Sequence, residues 1–445
     1  MWSRSCSRSA IEGAADDRAV RLSGTRELQP VRPAYLADPY PQLAESPAAF
    51  YAPELDMWVL TRFDDLDAVF RDPVTYSASI VQDPLFPLSQ AARAEASIVQ
   101  DPLFPLSQAA RAELGPDFPL PRTMSNADPP DHSRIRRINL QAFSARRTAA
   151  LEPRVRAAAA ELIDALPTTG SFDLVAGLSH PLPAFMIFAL IGFPAADTEL
   201  LKSWCGDRMA FSWGHPEPAE QLEIAGKMRR YWEYCTRFVA GRIAEPCDDF
   251  TSDLVRIHLA DPGQLSPLEI TSIAYGLSFA GHETTTNLTS NAIRRLLENR
   301  DQWDALCADP ALIPNAVEEV LRYDTSVIAW RRRTTRAVRL GDTDIPAGAR
   351  LLLMLGGAGR DAARFPDPER FDVQREDAGR HLAFGKGIHF CLGAPLARME
   401  VRIVLELLTA AAPDLELVGD QRLDFPPNVS FRGPSQLWLR RGARA

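Results

Sequence analysis

The sequence predicts a mainly α-helical fold with a small β region late in the chain. Three observations carry this: helix-like text from about residue 125 to 300, strand-like runs that begin only after residue 327, and no alternation of strand and helix. Residues 1–28 hold arginines but no continuous apolar stretch, so they read as a disordered N-terminal tail rather than a secretory signal. One domain is expected over 29–441. Within it, the 18 residues 78–95 (ASIVQDPLFPLSQAARAE) recur unchanged at 96–113. A solenoid needs at least three repeats, so two copies read as a tandem duplication inside one segment. Each copy has prolines (Pro84 and Pro87, Pro102 and Pro105) that remove backbone donors, giving a loop that leads into a short helix. That loop is either a surface insertion or the cover of a binding site.

Alanine-rich text at 149–166 and apolar text at 182–193 continue the helical pattern. Ser266-Pro267-Leu268-Glu269 marks a helix start, with serine as cap, proline at the first position and glutamate completing a capping box. No proline follows until Pro310, so a helix from Pro267 to about Arg300 is expected, roughly 50 Å long. Gly281 near its middle costs about 1 kcal/mol relative to alanine, which implies close approach of something bulky or a local distortion. Another helix is expected over about 311–324. From Thr334 to Leu340, and from Ile345 to Leu355, the text reads strand, turn, strand. A proline-rich charged loop, a glycine-rich loop and a last helix over about 395–412 close the chain.

The chain has 445 residues, 46% hydrophobic and 24% charged, which supports a large core and excludes global disorder or a disulfide scaffold. Net charge is −9, so a surface built for nucleic acid is not expected. The six cysteines are scattered, with no CxxC pair, as suits a reducing compartment. No run of 18 uncharged apolar residues predicts a membrane span, and a cytoplasmic protein is expected. His282-Glu283 lacks the second histidine of a zinc HExxH motif, because position 286 is Thr286. Gly357-Ala-Gly359-Arg-Asp-Ala362 matches a loose dinucleotide pattern, but Pro366 and Pro368 forbid the helix it should open.

The most informative stretch is Phe384-Gly-Lys-Gly387-Ile-His389-Phe-Cys391-Leu-Gly393. Glycines permit tight turns that leave amides free to face a sulfur, and a helix N-terminus favours thiolate over thiol. Such a fixed sulfur serves as nucleophile, disulfide partner or metal ligand. A merely structural cysteine does not explain the glycines.

This stretch resembles the haem-binding loop of the cytochrome P450 family, FxxGxxxCxG, with every fixed position filled. Glu319-Val-Leu-Arg322 matches the family's ExxR. Ala280-Gly281-His282-Glu283-Thr284 matches its oxygen-site motif. Phe365-Pro-Asp-Pro-Glu-Arg370-Phe matches the segment whose arginine joins the ExxR pair. The resemblance covers about residues 30–440 and implies a P450 fold, with a long central helix over the haem and small late sheets. It implies haem b with Cys391 as axial thiolate, and haem contacts from Ala280, His132, Arg136, Arg332, His389, Phe384, Gly387 and Gly393. Glu319, Arg322 and Arg370 become a structural network, and Glu283 with Thr284 the acid–alcohol pair that delivers protons. Family position assigns Phe86, Phe104, Phe211, Trp213, Val327, Trp330 and Val429 to the pocket wall.

A thiolate ligand favours O–O cleavage, so the implied activity is a monooxygenase acting on a small hydrophobic or aromatic substrate. No flavin or iron–sulfur segment is recognised, so a separate ferredoxin and its reductase are implied, with no nucleic acid or membrane partner and a monomeric state. Arg134, Arg137, Arg146, Arg147, Lys386 and Arg398 are the candidate docking face, or an ordinary solvated surface. A peroxide-driven peroxygenase, an oxidative coupling catalyst and a haem-based sensor or carrier are the alternatives.

Overall fold

A computed structural model of the chain describes residues 26–28, 30–81, 83, 85, 122 and 124–442. The duplicated segment lies almost wholly outside the described residues, and with it Phe86 and Phe104. Leu28 is fully buried, and the Arg26 amide donates to the Tyr51 carbonyl at 3.1 Å.

The helices that shape the interior are α1 (Phe63–Arg71), α2 (Asp131–Ala142), α3 (Pro181–Ile191), α4 (Asp207–Trp213), α5 (Pro218–Ala244), α6 (Pro267–Glu298), α7 (Ile313–Tyr323) and α8 (Ala394–Ala411). Helix α6 has the predicted start: the Ser266 hydroxyl accepts from the Glu269 amide at 3.2 Å, and the Glu269 carboxylate accepts from the Ser266 amide at 2.8 Å. Its 32 residues span about 48 Å. Most of its length is buried, because it runs through the middle of the helical core. At Gly281 it crosses α3, and a Cβ there would lie 2.5 Å from Ile187 Cγ1. Close helix packing therefore explains this glycine.

Strands β1 (Ala49–Ala52), β2 (Met57–Leu60), β3 (Tyr76–Ser77), β5 (Trp330–Thr334) and β8 (Arg350–Leu353) form a five-stranded sheet ordered β1-β2-β8-β5-β3. Only β2 and β8 pair in parallel. Strand β4 (Ser171–Asp173) joins β9 (Leu415–Leu417) and β10 (Trp438–Arg441), and β6 (Val338–Leu340) pairs with β7 (Thr343–Ile345). The early hairpin β1–β2 corrects the expectation that strands come only late. Its alternation is masked because all of β2 is buried, so its residues read as a plain apolar run. The expected strand at 334–340 is divided instead: β5 starts earlier, at Trp330, and β6 belongs to a separate ribbon.

Asp324, just past α7, ties the sheet side to the helices. It is fully buried and accepts from Arg294, from Arg295 Nε at 2.8 Å, from Arg432 Nε at 3.0 Å and from the Tyr40 hydroxyl at 2.8 Å. Burial works against its charge, but the three guanidiniums outweigh it and hold the carboxyl well below its ordinary range. Among the described residues, no helix is long and apolar enough to cross a membrane.

Glu318 of α7 binds Arg398 of α8 through both oxygens, at 2.5 and 2.8 Å, and contacts His381 Nε2 at 3.1 Å. Burial opposes its charge, but the Arg398 and His381 bonds prevail and pull its pKa down to about 2 from the ordinary 4.5. A depressed carboxyl stabilises the fold above its unfolded pKa, and that stabilisation is lost as pH falls toward the folded value. Glu318→Gln removes this contribution, on the order of 2 kcal/mol. Denaturant unfolding at pH values from about 5 down to 2.5 should show a shallower acid loss in the variant than in the parent; equal slopes would contradict the assignment.

Candidate functional site

A deep cavity lies between α6 above and the loop that precedes α8 below, with Cys391, Ala280, Thr284, Arg136, Arg332 and His389 on its wall. Local chain geometry presents the cysteine. Gly385 and Gly387 take left-handed φ values of +66° and +67°. A Cβ at Gly387 would fall 2.3 Å from the Phe70 carbonyl oxygen, so only glycine lets the loop lie against α1. A 3-10 turn over Gly387–His389 follows, and the Cys391 amide donates to the Phe384 carbonyl at 2.9 Å. Helix α8 then starts at Ala394. The amides of Gly393 and Ala394 bond the Cys391 sulfur. Burial raises the thiol pKa more than these amides, Arg136 and Arg398 lower it. The helix terminus alone therefore does not make the free thiolate expected from the sequence.

On one side of the cavity, cationic and imidazole groups converge. The His132 and His389 rings lie 4.1 Å apart. His132 is buried with neither ring nitrogen hydrogen-bonded, and His389 uses Nδ1 on the Met124 carbonyl (2.9 Å) while Nε2 has no partner. Arg136 donates to the Phe390 carbonyl at 2.7 Å. Buried Arg332 donates to the Arg331 carbonyl at 2.8 Å. Burial, then Arg136, pushes His132 down to about 4. Burial, then Arg332, pushes His389 down to about 3. Asp128, which bears on both His132 and Arg332, already accepts from Ser77 and from the Ala78 amide. Two guanidiniums and two orphaned imidazoles in one buried wall are suited to an anionic group entering the cavity. Strand alternation puts Arg332 on the cavity face of β5 and Arg331 and Arg333 on the other. Arg333 is exposed. Arg331 stacks on Trp213 at 3.8 Å and donates to the Val81 and Asp83 carbonyls, both at 2.7 Å.

Beneath the loop, Glu319 and Arg322 are fully buried and pair through both ends, at 2.7 and 2.8 Å. Arg322 also donates to the carbonyls of Gly359 (2.8 Å), Pro368 (2.9 Å) and Arg370 (3.1 Å). The side chain expected to join them is misassigned. Arg370 is two-thirds exposed and pairs with Asp372 at 3.4 Å, lending only its carbonyl to the network. Arg375 is the third member: its Nε reaches Glu319 at 3.3 Å, and it donates to the carbonyls of Pro366, Asp367 and Arg370.

Above, Thr284 lines the cavity and its hydroxyl donates to the Ala280 carbonyl at 2.7 Å. Its neighbour Glu283 is not on the cavity wall. It lies on the flank of α6 with His180 and His282. Trp213, Val327 and Trp330 line the cavity, and the two indoles stack at 5.5 Å. Phe211 and Val429 do not; both are buried in hydrophobic core. Phe431 takes the wall position: it forms an isolated bridge with Val327, and both residues line the cavity. Arg208 and Met209 of α4 and Glu400 of α8 also line the cavity. None had a local sequence signal.

Comparison with known proteins agrees with this geometry. A family model described as Cytochrome P450 matches residues 229–409. Cytochrome P450 107B1 of Saccharopolyspora erythraea is 38% identical over 393 residues, covering 87% of this chain and 90% of that protein. The P450 monooxygenase PikC of Streptomyces venezuelae is 37% identical, covering 91% and 92%. The solved P450 haem domain of Tepidiphilus thermophilus superposes with a TM-score of 0.84 at 33% identity, covering 94% and 97%. The class is therefore that of haem-b, cysteine-thiolate monooxygenases. The chain belongs to the cytochrome P450 family, and the cavity wall, with its orphaned imidazole nitrogens of His132 and His389 beside Arg136 and Arg332, fits the carboxylates of that cofactor.

Removing one partner of a buried ion pair costs about 3–5 kcal/mol, whereas exposed substitutions stay within about 0.5 kcal/mol. Arg375→Ala should lower the denaturation midpoint and weaken haem retention, and Arg370→Ala should change neither. The reverse ranking, read by denaturant titration and haem absorbance, would return the third network position to Arg370.

Proposed function

We propose that the chain oxidises a small, largely apolar or aromatic organic substrate, with electrons from a separate ferredoxin and reductase, as one P450 domain over about residues 29–441. The observation that carries this reading is the stacked aromatic wall of Trp213 and Trp330, with Val327 and Phe431, over the Cys391–Thr284 axis. The relatives' names point the same way, including a cyclomarin C epoxidase, a vitamin D(3) 25-hydroxylase and a mycinamicin IV hydroxylase/epoxidase, which supports a role in secondary metabolism.

Cys391 would hold the haem iron, and His132, Arg136, Arg332 and His389 would hold its carboxylates. The bound haem supplies activation of dioxygen and transfer of one oxygen atom to the substrate. Phe384, Gly387 and Gly393 shape the loop, and Ala280 keeps the roof low. Apolar side chains exclude water and orient the substrate. The Thr284 hydroxyl gives up its bond to the Ala280 carbonyl, holds a proton at Oγ1 and passes it into the cavity. Glu283, the next residue on α6 but off the cavity wall, would replenish that proton.

For the electron donor, four of the six candidate docking cations already pair with carboxylates: Arg134 with Glu269 (2.6 Å), Arg147 with Asp253, Lys386 with Asp67 (3.0 Å) and Arg398 with Glu318. Arg137 and Arg146 therefore carry most of the attraction to an acidic ferredoxin.

Thr284→Ala tests the proton step. The variant should keep haem and substrate affinity, but product formed per electron pair should drop on the order of 10-fold, with hydrogen peroxide accounting for the difference. Unchanged coupling would remove Thr284 from proton delivery.

A further inference from the structure

Outside the cavity, the flank of α6 carries a group that oxygen chemistry alone does not account for. One ligand atom each from His180, His282 and Glu283 lie within 4.8 Å of one another. We propose that these three side chains form a site for a divalent transition ion of the zinc class, and that filling it restrains Glu283 and slows proton delivery.

The donor set is right for such an ion. Two imidazoles and a carboxylate are common protein ligands for zinc, which needs its donor atoms about 3.3 Å apart at the usual bond lengths. Side-chain rotations of about 1–1.5 Å close the present spacing. His282 is prepared for the task. Its Nε2 meets the His180 carbonyl at 3.2 Å, and a backbone carbonyl accepts, so the proton sits on Nε2. Nδ1 then carries a lone pair, and it is buried with no hydrogen-bond partner. A metal-binding histidine is fixed by this same arrangement, with one ring nitrogen donating to a carbonyl and the other open.

The fold delivers His180 to this position. A five-residue π-helical turn, Val175–Ser179, precedes it, and the His180 amide closes the turn on the Val175 carbonyl at 2.9 Å. Such turns are rare and recur at functional sites. The His180 and His282 rings lie 4.5 Å apart, edge to face. His180 and Glu283 are half-buried while His282 is fully buried, so one end of the group is open to an entering ion. Lys202, which bears on both imidazoles, is paired with Glu199 at 3.0 Å.

The inhibitory half of the proposal rests on the proton role given to Glu283; the binding half does not. The test uses the haem-loaded protein titrated with zinc chloride against a chromophoric zinc chelator, with and without turnover. One zinc per chain with micromolar affinity is expected. His180→Ala and Glu283→Gln should each weaken it at least 10-fold while the reduced carbon monoxide spectrum of the haem stays as in the parent. Cys247→Ser, which removes an exposed thiol, should leave it intact. Absence of binding up to about 100 μM zinc, or equal binding by the parent and His180→Ala, overturns the site. During turnover, zinc should shift electrons from product to peroxide in the parent and not in His180→Ala. Stoichiometric zinc with unchanged coupling overturns the inhibitory role.

Discussion

A buried sulfur at the mouth of a helix, Cys391, is the constraint around which the cavity is built. Burial alone favours the neutral thiol of Cys391, and the amides of Gly393 and Ala394 with the Arg136 guanidinium only partly offset it. The charge is completed when a metal takes the thiolate, because coordination deprotonates a thiol outright. The opposite problem exists across the cavity. Arg136, Arg332, His132 and His389 gather cationic and imidazole groups, with ring nitrogens of both histidines left without partners, a wall suited to anions. A flat cofactor with a metal centre and carboxylate edges meets both needs at once.

Holding these groups in register requires rigid supports, and the supports are buried ion pairs. Glu319, Arg322 and Arg375 clamp the carbonyls of the loop that runs toward Cys391. Asp324 gathers arginines from α6 and from the C-terminal segment. Such networks add little net stability compared with packed apolar side chains, yet losing one member is costly. Their effect is to give the loop one geometry. Gly359 shows how tight that geometry is, because a Cβ there would stand 2.2 Å from the Arg322 carbonyl oxygen.

Much of this was legible in the chain because the informative features are local. The capping box at Ser266, the glycines around Cys391 and the i,i+3 pair of Glu319 and Arg322 each depend on near neighbours. The failures share the opposite property. Arg370 and Arg375 lie in an irregular loop with no period to say which one turns inward. Phe211 and Val429 are buried in hydrophobic core off the cavity wall, a placement that only tertiary packing sets. Gly281 answers to Ile187, nearly a hundred positions away in the chain. Glu283 adjoins Thr284 in sequence, yet a helix turns adjacent residues to different faces. That separation puts the acid on the protein side of α6 and the alcohol on the cavity side.

Every role proposed for this cavity depends on Cys391 taking the haem iron. The absorption spectrum of the reduced, carbon monoxide-treated protein reads that bond directly. A thiolate-type Soret band in the parent that disappears in Cys391→Ala is the expected result. The same band surviving in the variant, or a parent protein that gives only an imidazole-type spectrum, would contradict it.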